Sequence, residues 1–189
     1  MKIGLYFGSF NPIHNGHLII ATHILQHTAL DQIWFVVSPQ NPFKQGGSLL
    51  NEYHRLHLVQ QAIEGETKLK ASDIEFSLPR PSYTIDTLTY LEEKYPENNF
   101  SVIMGSDSFQ NIGKWKSGEL LQKRYPILVY IRPGFSIDED AAKKATILNA
   151  PMLDISSTII RKLIAAGQSI RYLVPESVNE EILKSGYYK

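Results

Sequence analysis

A ten-residue segment near the amino terminus carries residue types that suit the binding of a polyphosphate. Residues 8–17 read Gly-Ser-Phe-Asn-Pro-Ile-His-Asn-Gly-His and follow a short apolar run. A helix that begins here offers free N–H groups and a partial positive charge. His14 and His17 are three residues apart, so they can share one face of that helix. Gly8 permits a turn and a close approach of the backbone to a ligand. Imidazoles donate hydrogen bonds to phosphate oxygens without adding a large fixed charge, so the segment indicates an anion site.

A second segment with the same chemistry lies late in the chain. Residues 155–161 read Ile-Ser-Ser-Thr-Ile-Ile-Arg. Ser156, Ser157 and Thr158 are residue types that cap helices, and an apolar-periodic stretch follows them. Arg161 projects from about one turn later, where a guanidinium could contact phosphate oxygens. Taken alone, the segment is equally typical of an ordinary capped helix, and its value comes from being paired with residues 8–17.

The elements that must position these segments alternate between strands and helices. Short apolar runs predict strands at 3–7, 33–37, 100–104 and 126–131, with further strand material in 68–76. Helical periodicity predicts helices at 18–25, 51–64, 85–94 and 159–164, and a last helix from Pro175. This alternation predicts an α/β fold with a doubly wound, mostly parallel sheet and helices on both faces. Ligands bind such sheets beyond the carboxyl ends of the strands, which directs attention to loops 8–17, 38–44, 105–107 and 132–134.

Composition excludes several classes of function. The 189 residues contain 19 Lys+Arg and 19 Asp+Glu, so the formal net charge is zero, and we expect no nucleic-acid or membrane partner. The chain has no cysteine, which excludes disulfides, thiolate metal sites and a thiol nucleophile. No apolar run approaches the ~20 residues of a membrane span and no signal-peptide pattern is present. We therefore expect a cytoplasmic protein with one domain over 1–189, whose helical part from about 155 to 189 packs on the rest; a homo-oligomer is possible.

The two phosphate segments together carry a family resemblance. Residues 8–17 followed by 155–161 resemble the nucleotidylyltransferase superfamily, whose signatures are an (H/T)-x-G-H loop and a late S-S-T-x-x-R helix start. Further segments narrow the resemblance to the bacterial nicotinate-nucleotide adenylyltransferases; they lie at 39–44, 73–75, 79–88, 104–107 and 114–115. Ser9 is a departure, since many of those enzymes have a second glycine there. The resemblance covers nearly the whole chain and implies a Rossmann-like fold.

The resemblance also implies a reaction and the residues that carry it. In that reaction the 5′-phosphate of nicotinate mononucleotide attacks the α-phosphorus of ATP, giving the dinucleotide and pyrophosphate. The catalytic residues would be His14, His17, Lys44 and Arg161. The ATP-binding residues would be Gly8, Ser9, Phe10, His14, His17, Ser156, Ser157, Thr158 and Arg161. The acceptor-binding residues would be Lys44, Ser82, Tyr83, Thr84, Asp107 and Trp115. Mg²⁺ would be carried mainly by ATP and water, with few protein ligands.

Other interpretations remain open at this point. A sister transferase that acts on nicotinamide mononucleotide, phosphopantetheine or a flavin nucleotide would share the phosphate machinery and differ only in the acceptor pocket. A non-catalytic nucleotide-binding module could use the same scaffold. A zinc site is a weaker alternative, since four histidines lie between residues 14 and 27 without cysteine. The loop 45–48 contains two glycines, and we expect it to close over substrate.

Overall fold

A parallel sheet forms the centre of the molecule. The computed structural model describes residues 1–40, 49–151 and 153–189. The strands of the described part are β1 (Lys2–Gly8), β2 (Gln32–Val37), β3 (Leu69–Ser72), β4 (Asn99–Gly105), β5 (Ile127–Tyr130) and β6 (Thr146–Leu148). They pair in the order β3-β2-β1-β4-β5-β6, and every pairing is parallel. All strand carboxyl ends therefore lie at one edge of the sheet.

Helices cover both faces of this sheet. The described helices are α1 (Asn15–His27), α2 (Glu52–Ala62), α3 (Thr84–Lys94), α4 (Ser106–Phe109), α5 (Gly118–Arg124), α6 (Glu139–Ala142), α7 (Ser157–Ala165) and α8 (Glu176–Ser185). Buried side chains of α1, α2, α7 and α8 form a core on one face, and those of α3, α4 and α5 form a second core on the other. Strand alternation feeds both cores, since Tyr6 belongs to the first and Leu5 to the second. The predicted doubly wound α/β fold is confirmed.

Most predicted elements occur within a few residues of their expected bounds, and the differences have local causes. The edge strand β6 was not predicted, because three residues with one buried side chain leave almost no periodic signal. Pro175 is the residue before α8 rather than its first residue, with an extended ψ of 150°. None of the helices in the described part of the chain is long and apolar enough to cross a membrane.

The strand order fixes where a ligand can bind. The chain runs outward from β1 to β3 on one side and from β4 to β6 on the other. The loops that follow β1 and β4 consequently diverge and leave a crevice between them. Backbone bonds also connect the late helices to this edge, since the N–H of Asn15 donates to the carbonyl of Leu173 at 3.0 Å. The boundaries of a single domain over 1–189 stay a prediction.

The turn that begins α5 has no room for a side chain at Gly118. A Cβ at Gly118 would lie 2.0 Å from the carbonyl oxygen of Ile112, whereas a Cβ at Gly113, in the preceding 3₁₀ helix, would meet nothing within 4 Å. We expect Gly118→Ala to lower the free energy of unfolding by roughly 3 kcal/mol, because the backbone must move. Gly113→Ala should change it little. Urea unfolding of both variants measures this, and equal stabilities would contradict the packing described for this turn.

Candidate active site

The loop between β1 and α1 forms the centre of the candidate site. Phe10 adopts a left-handed φ of 44°, and its buried ring packs edge-on against Tyr6, Phe35 and His17. A Cβ at Gly8 would lie 2.8 Å from the Phe10 ring, so only glycine fits beside it. The ring of Phe10 thereby anchors the loop in the aromatic core, while Gly8 of the same loop lines the crevice.

The two histidines meet at the amino end of α1, as their spacing predicts. The rings of His14 and His17 stack with centroids 3.7 Å apart. The backbone N–H of His14 donates to Nδ1 of His17 at 3.3 Å. That bond requires an unprotonated Nδ1, so a neutral His17 carries its proton on Nε2. Nε2–H is then a donor suited to a phosphate oxygen.

His14 is held uncharged by its surroundings. Burial and, to a smaller extent, the positive charge of Arg132 together lower the pKa of the His14 imidazole to about 4. A neutral imidazole at a helix amino terminus offers a hydrogen bond without bringing its own positive charge into the core. An arriving polyanion would favour the protonated form, so ligand binding and protonation of His14 are linked.

The start of α7 completes the same loop from the far end of the chain. Ser156 caps the helix, with Oγ accepting from the N–H of Ile159 at 3.2 Å. The Ser157 hydroxyl donates to the carbonyl of Pro12 at 2.8 Å. Arg161 Nη1 donates to the carbonyl of Asn11 at 2.8 Å. These bonds place residues 156–161 against the loop that carries the histidines, as the paired motifs predict.

Arg161 also contacts Thr158, the exposed member of the motif. Its Nη2 lies 3.4 Å from Thr158 Oγ1. One nitrogen of the guanidinium thus holds the backbone of the first loop, and the other reaches the outer face of α7. The capped-helix interpretation of this motif is correct for Ser156, and it coexists with a contact to the candidate phosphate loop.

A second group of predicted residues lines a cleft on the other side of the same loop. The cleft has a volume of about 150 Å³. Its wall includes Gly8, Ser82, Tyr83, Thr84 and Trp115 among other residues. Tyr83 precedes the first residue of α3, so the start of that helix, where backbone N–H groups lack helical partners, borders the cleft. The predicted acceptor residues of segment 82–84 and Trp115 are therefore brought together.

A buried carboxylate from segment 73–75, whose role the sequence did not predict, supports this wall. Glu75 is 2% exposed; its carboxylate accepts from the hydroxyls of Ser82 at 2.8 Å and Thr87 at 2.9 Å. Burial raises the pKa of Glu75, while these two hydroxyls and that of Ser38 act in the opposite direction. Glu75 thus binds the start of α3 to the end of β2, and its chain position in a short 3₁₀ turn gave no periodic signal.

The floor and rim of the crevice contain further polar groups. The hydroxyl of Tyr6 donates to that of Tyr130 at 3.2 Å beneath the cleft, and burial raises the pKa of both phenols. Asp107, expected to accept from a ribose, forms an ion pair with Arg132 at 2.9 Å. It lies inside the first turn of α4 rather than capping it. A bound nucleotide would meet Asp107 already paired.

A fully buried arginine is the other feature that sequence analysis missed. Arg55 lies in α2 and donates only to backbone carbonyls in this site, including that of Ser38 at 2.9 Å. Residues 55, 58 and 59 have helical spacing and all three are buried, but the spacing alone does not show that the charged residue is on the buried face. A charge on an otherwise apolar face indicates a structural or functional task.

Some predictions fall outside the described residues. Lys44, expected to bind phosphate, and the loop 45–48, expected to close over substrate, both lie there. Among residues 1–40, 49–151 and 153–189, no group of three or more His, Asp or Glu side chains could hold a metal ion. His23 and His27 stack on each other along α1, with ring centroids 4.0 Å apart.

Comparison with known proteins gives consistent results. The cytidylyltransferase-like family model matches residues 5–163. A probable nicotinate-nucleotide adenylyltransferase of Cytophaga hutchinsonii is 51% identical over 100% of this chain and 98% of its own. One from Flavobacterium psychrophilum is 48% identical over all of both chains. The structure of Plasmodium falciparum nicotinic acid mononucleotide adenylyltransferase complexed with NaAD superimposes with a TM-score of 0.84 at 27% identity, covering 99% of this chain and 97% of that one.

The depressed pKa of His14 makes a specific contribution to the pH dependence of stability. The folded-state pKa is about 4 and the ordinary value is 6.5, so the contribution is present above pH 6.5 and is lost as the pH falls toward 4. We expect the wild type to lose about 2–3 kcal/mol relative to His14→Asn between pH 7.5 and 4.5. Urea unfolding at both pH values measures the difference. Parallel pH curves for the two proteins would show that His14 is not held neutral.

Proposed function

Because this chain belongs to the nicotinate-nucleotide adenylyltransferases of the cytidylyltransferase-like family, we propose that the crevice beyond β1 and β4 is its active site. The protein is a nucleotidyltransferase of NAD biosynthesis that transfers an adenylyl group. The observation that carries the proposal is the shared loop. Gly8 lines the cleft of residues 82–84 and 115, while Asn11 and Pro12 accept hydrogen bonds from α7. One loop therefore borders two anion-binding regions.

The histidine side of the loop is the proposed ATP site. Two stacked imidazoles, the amino end of α1 and the amino end of α7 supply hydrogen-bond donors to the phosphates. His17 Nε2–H would stabilise the charge that develops between the α-phosphoryl group and the leaving pyrophosphate. Arg161 would contact the outer phosphates together with Ser157 and Thr158. The backbone of Gly8, Ser9 and Phe10 would pass beside the nucleotide, with Lys44 as a further phosphate ligand.

The cleft side of the loop is the proposed site of nicotinate mononucleotide. Free N–H groups at the start of α3 suit the pyridine carboxylate, and the rings of Tyr83 and Trp115 suit its aromatic ring. Lys116 also lines the cleft and lies 4.9 Å over the Tyr83 ring, paired with Asp86. Hydrogen-bond donors arranged for a carboxylate bind a neutral amide less strongly, so this side of the loop favours nicotinate mononucleotide over nicotinamide mononucleotide. Asp107 would reach the acceptor ribose.

The proposed reaction needs no activated nucleophile. An oxygen of the acceptor 5′-phosphate is ionised at neutral pH and forms the new bond to the α-phosphorus. The bond from that phosphorus to the bridging oxygen breaks, and pyrophosphate leaves with the electron pair. Catalysis then consists of alignment and charge stabilisation, which is what fixed imidazoles, helix starts and a guanidinium provide.

Nucleotidyltransferases generally use a divalent metal, and we propose that Mg²⁺ enters with ATP. Mg²⁺ keeps several waters and binds readily to substrate phosphates, where it neutralises part of their charge. Asp107 is a carboxylate at this edge of the sheet, and its ion pair with Arg132 leaves it poorly placed as a metal ligand. The cytoplasmic location and the homo-oligomer considered from sequence stay predictions.

An acceptor panel tests the proposal. Pyrophosphate release from ATP and Mg²⁺ is measured with nicotinate mononucleotide, nicotinamide mononucleotide, phosphopantetheine and flavin mononucleotide. We expect kcat/KM for the acid to exceed that for the amide by at least roughly tenfold, since unpaired donors in the pocket disfavour the neutral group. Preference for a different acceptor would overturn the pocket assignment and leave the ATP side standing. No release with any acceptor would contradict the proposed function itself.

His17→Asn tests the catalytic assignment with little change of fold. Asparagine can still accept the N–H of His14 near the position of Nδ1 but has no donor at the position of Nε2. We expect kcat to fall by roughly 10²–10³, with a much smaller change in the Kd of ATP. His23→Asn, in the same helix, is the matched control and should retain activity. A loss in ATP affinity as large as the loss in kcat would make His17 a simple binding residue.

A further inference from the structure

Arg55 stands apart from the other charged residues of the described structure. It is 0% exposed, although a buried guanidinium normally requires a carboxylate or several strong acceptors. Its Nε donates to the carbonyl of Leu50 at 2.7 Å and its Nη1 to that of Ser38 at 2.9 Å. Nη1 also donates to the carbonyl of Ser9, and Nη2 to that of Pro39 at 3.2 Å. No carboxylate in the described residues forms an ion pair with it.

The four acceptors belong to three different backbone segments. Ser9 lies in the loop after β1, Ser38 and Pro39 follow β2, and Leu50 precedes α2. Further bonds connect the same segments directly. The N–H of Ser38 donates to the carbonyl of Gly8 at 2.9 Å, and the N–H of Leu50 donates to Oδ1 of Asn11 at 3.2 Å. Arg55 therefore sits at the junction where these segments meet.

The planar fork of arginine suits this junction better than any other side chain. Five N–H donors in fixed directions can reach carbonyls on several sides at once. Lysine has three donors on one point and a more strongly hydrated charge. A buried carbonyl that loses its hydrogen-bond donor costs free energy. The four carbonyls therefore stabilise the buried guanidinium, and the guanidinium in turn holds their three segments together.

We infer that Arg55 is a positioning residue of the transferase reaction, which fixes the loop of residues 8–11 in the geometry that receives ATP. This inference rests on the proposed function, since the loop is the proposed phosphate loop. The guanidinium acts through the Ser9 carbonyl and the strand-end segment at Ser38, and it touches no substrate. Alignment of the reacting groups then depends on a side chain buried behind the loop.

Arg55→Lys is the principal variant, because it keeps the charge and loses the fork. We expect kcat/KM for ATP to fall roughly tenfold to a hundredfold, with the KM of the acceptor changed less than twofold. Arg124→Lys is the matched control, because that arginine forms an exposed ion pair with Glu92, and its kinetics should stay at the wild-type values. An equal rise in the KM of both substrates, or an unchanged kcat/KM for ATP, would overturn the inference.

Guanidinium rescue provides a second readout that does not depend on how lysine packs. Arg55→Ala leaves a cavity shaped for the missing group. We expect low-millimolar guanidinium chloride to restore part of the activity toward ATP, while ammonium chloride at the same concentration does not. Failure of rescue in an Arg55→Ala protein that unfolds cooperatively would contradict a positioning role.

Amide hydrogen exchange separates this inference from the proposed function. In Arg55→Lys the amides of Ser38 and Leu50 should exchange faster, because their acceptors belong to the released loop. The amides of Val102 in the central sheet should keep the wild-type rate. Faster exchange confined to these two amides, in a chain whose wild type transfers no adenylyl group, would support the bonds from Arg55 to the loop while the proposed reaction is refuted. Uniformly faster exchange, or unchanged exchange, would refute the positioning role of Arg55.

Discussion

Parallel pairing of β1 with both of its neighbours is the constraint on which the site depends. The register places Gly8 opposite Val37, while Tyr6 lies opposite Ile103. Because β1 occupies the middle of the sheet, its loop must leave between two diverging sets of connections. One turn of backbone thus borders the cleft of residues 82–84 and 115 on one side and the amino ends of α1 and α7 on the other. In the proposed reaction, ATP and nicotinate mononucleotide would meet at this turn without any large movement of the sheet.

Electrostatics sets the second condition, since an uncharged protein must bring two polyanions together. The structure gathers hydrogen-bond donors at the crevice and does not rely on a net positive charge. Helix amino termini, the imidazoles of His14 and His17 and several hydroxyls supply these donors. Three cations of the described residues are engaged by the protein itself: Arg161 by the Asn11 carbonyl, Arg132 by Asp107 and Arg55 by four carbonyls. Such groups are oriented before the substrate arrives, so little reorganisation accompanies the reaction.

The sequence was sufficient for the parts of the structure that have a local pattern. Short apolar runs predicted the central strands. The paired segments at 8–17 and 155–161 predicted one site, and in the structure Ser157 and Arg161 do bond to the first loop. The short edge strand β6 and the polar residues Arg55 and Glu75 were missed. Their roles come from contacts between segments that are distant along the chain, and periodicity within one element cannot reveal these. Whether the site residues bind the substrates is a question for the kinetic experiments.

The bonds from α7 to the first loop have a consequence for how the protein is made. Arg161 and Asn11 are separated by 150 positions, and Ser157 and Pro12 by 145. The ribosome synthesises the loop early, and Ser157 and Arg161, which donate hydrogen bonds to it, much later. During most of translation the emerging chain can pair β1 with β2 and already carries Arg55, yet it lacks Ser157 and Arg161. The contacts from α7 to the proposed ATP loop therefore form only when most of the chain has been synthesised.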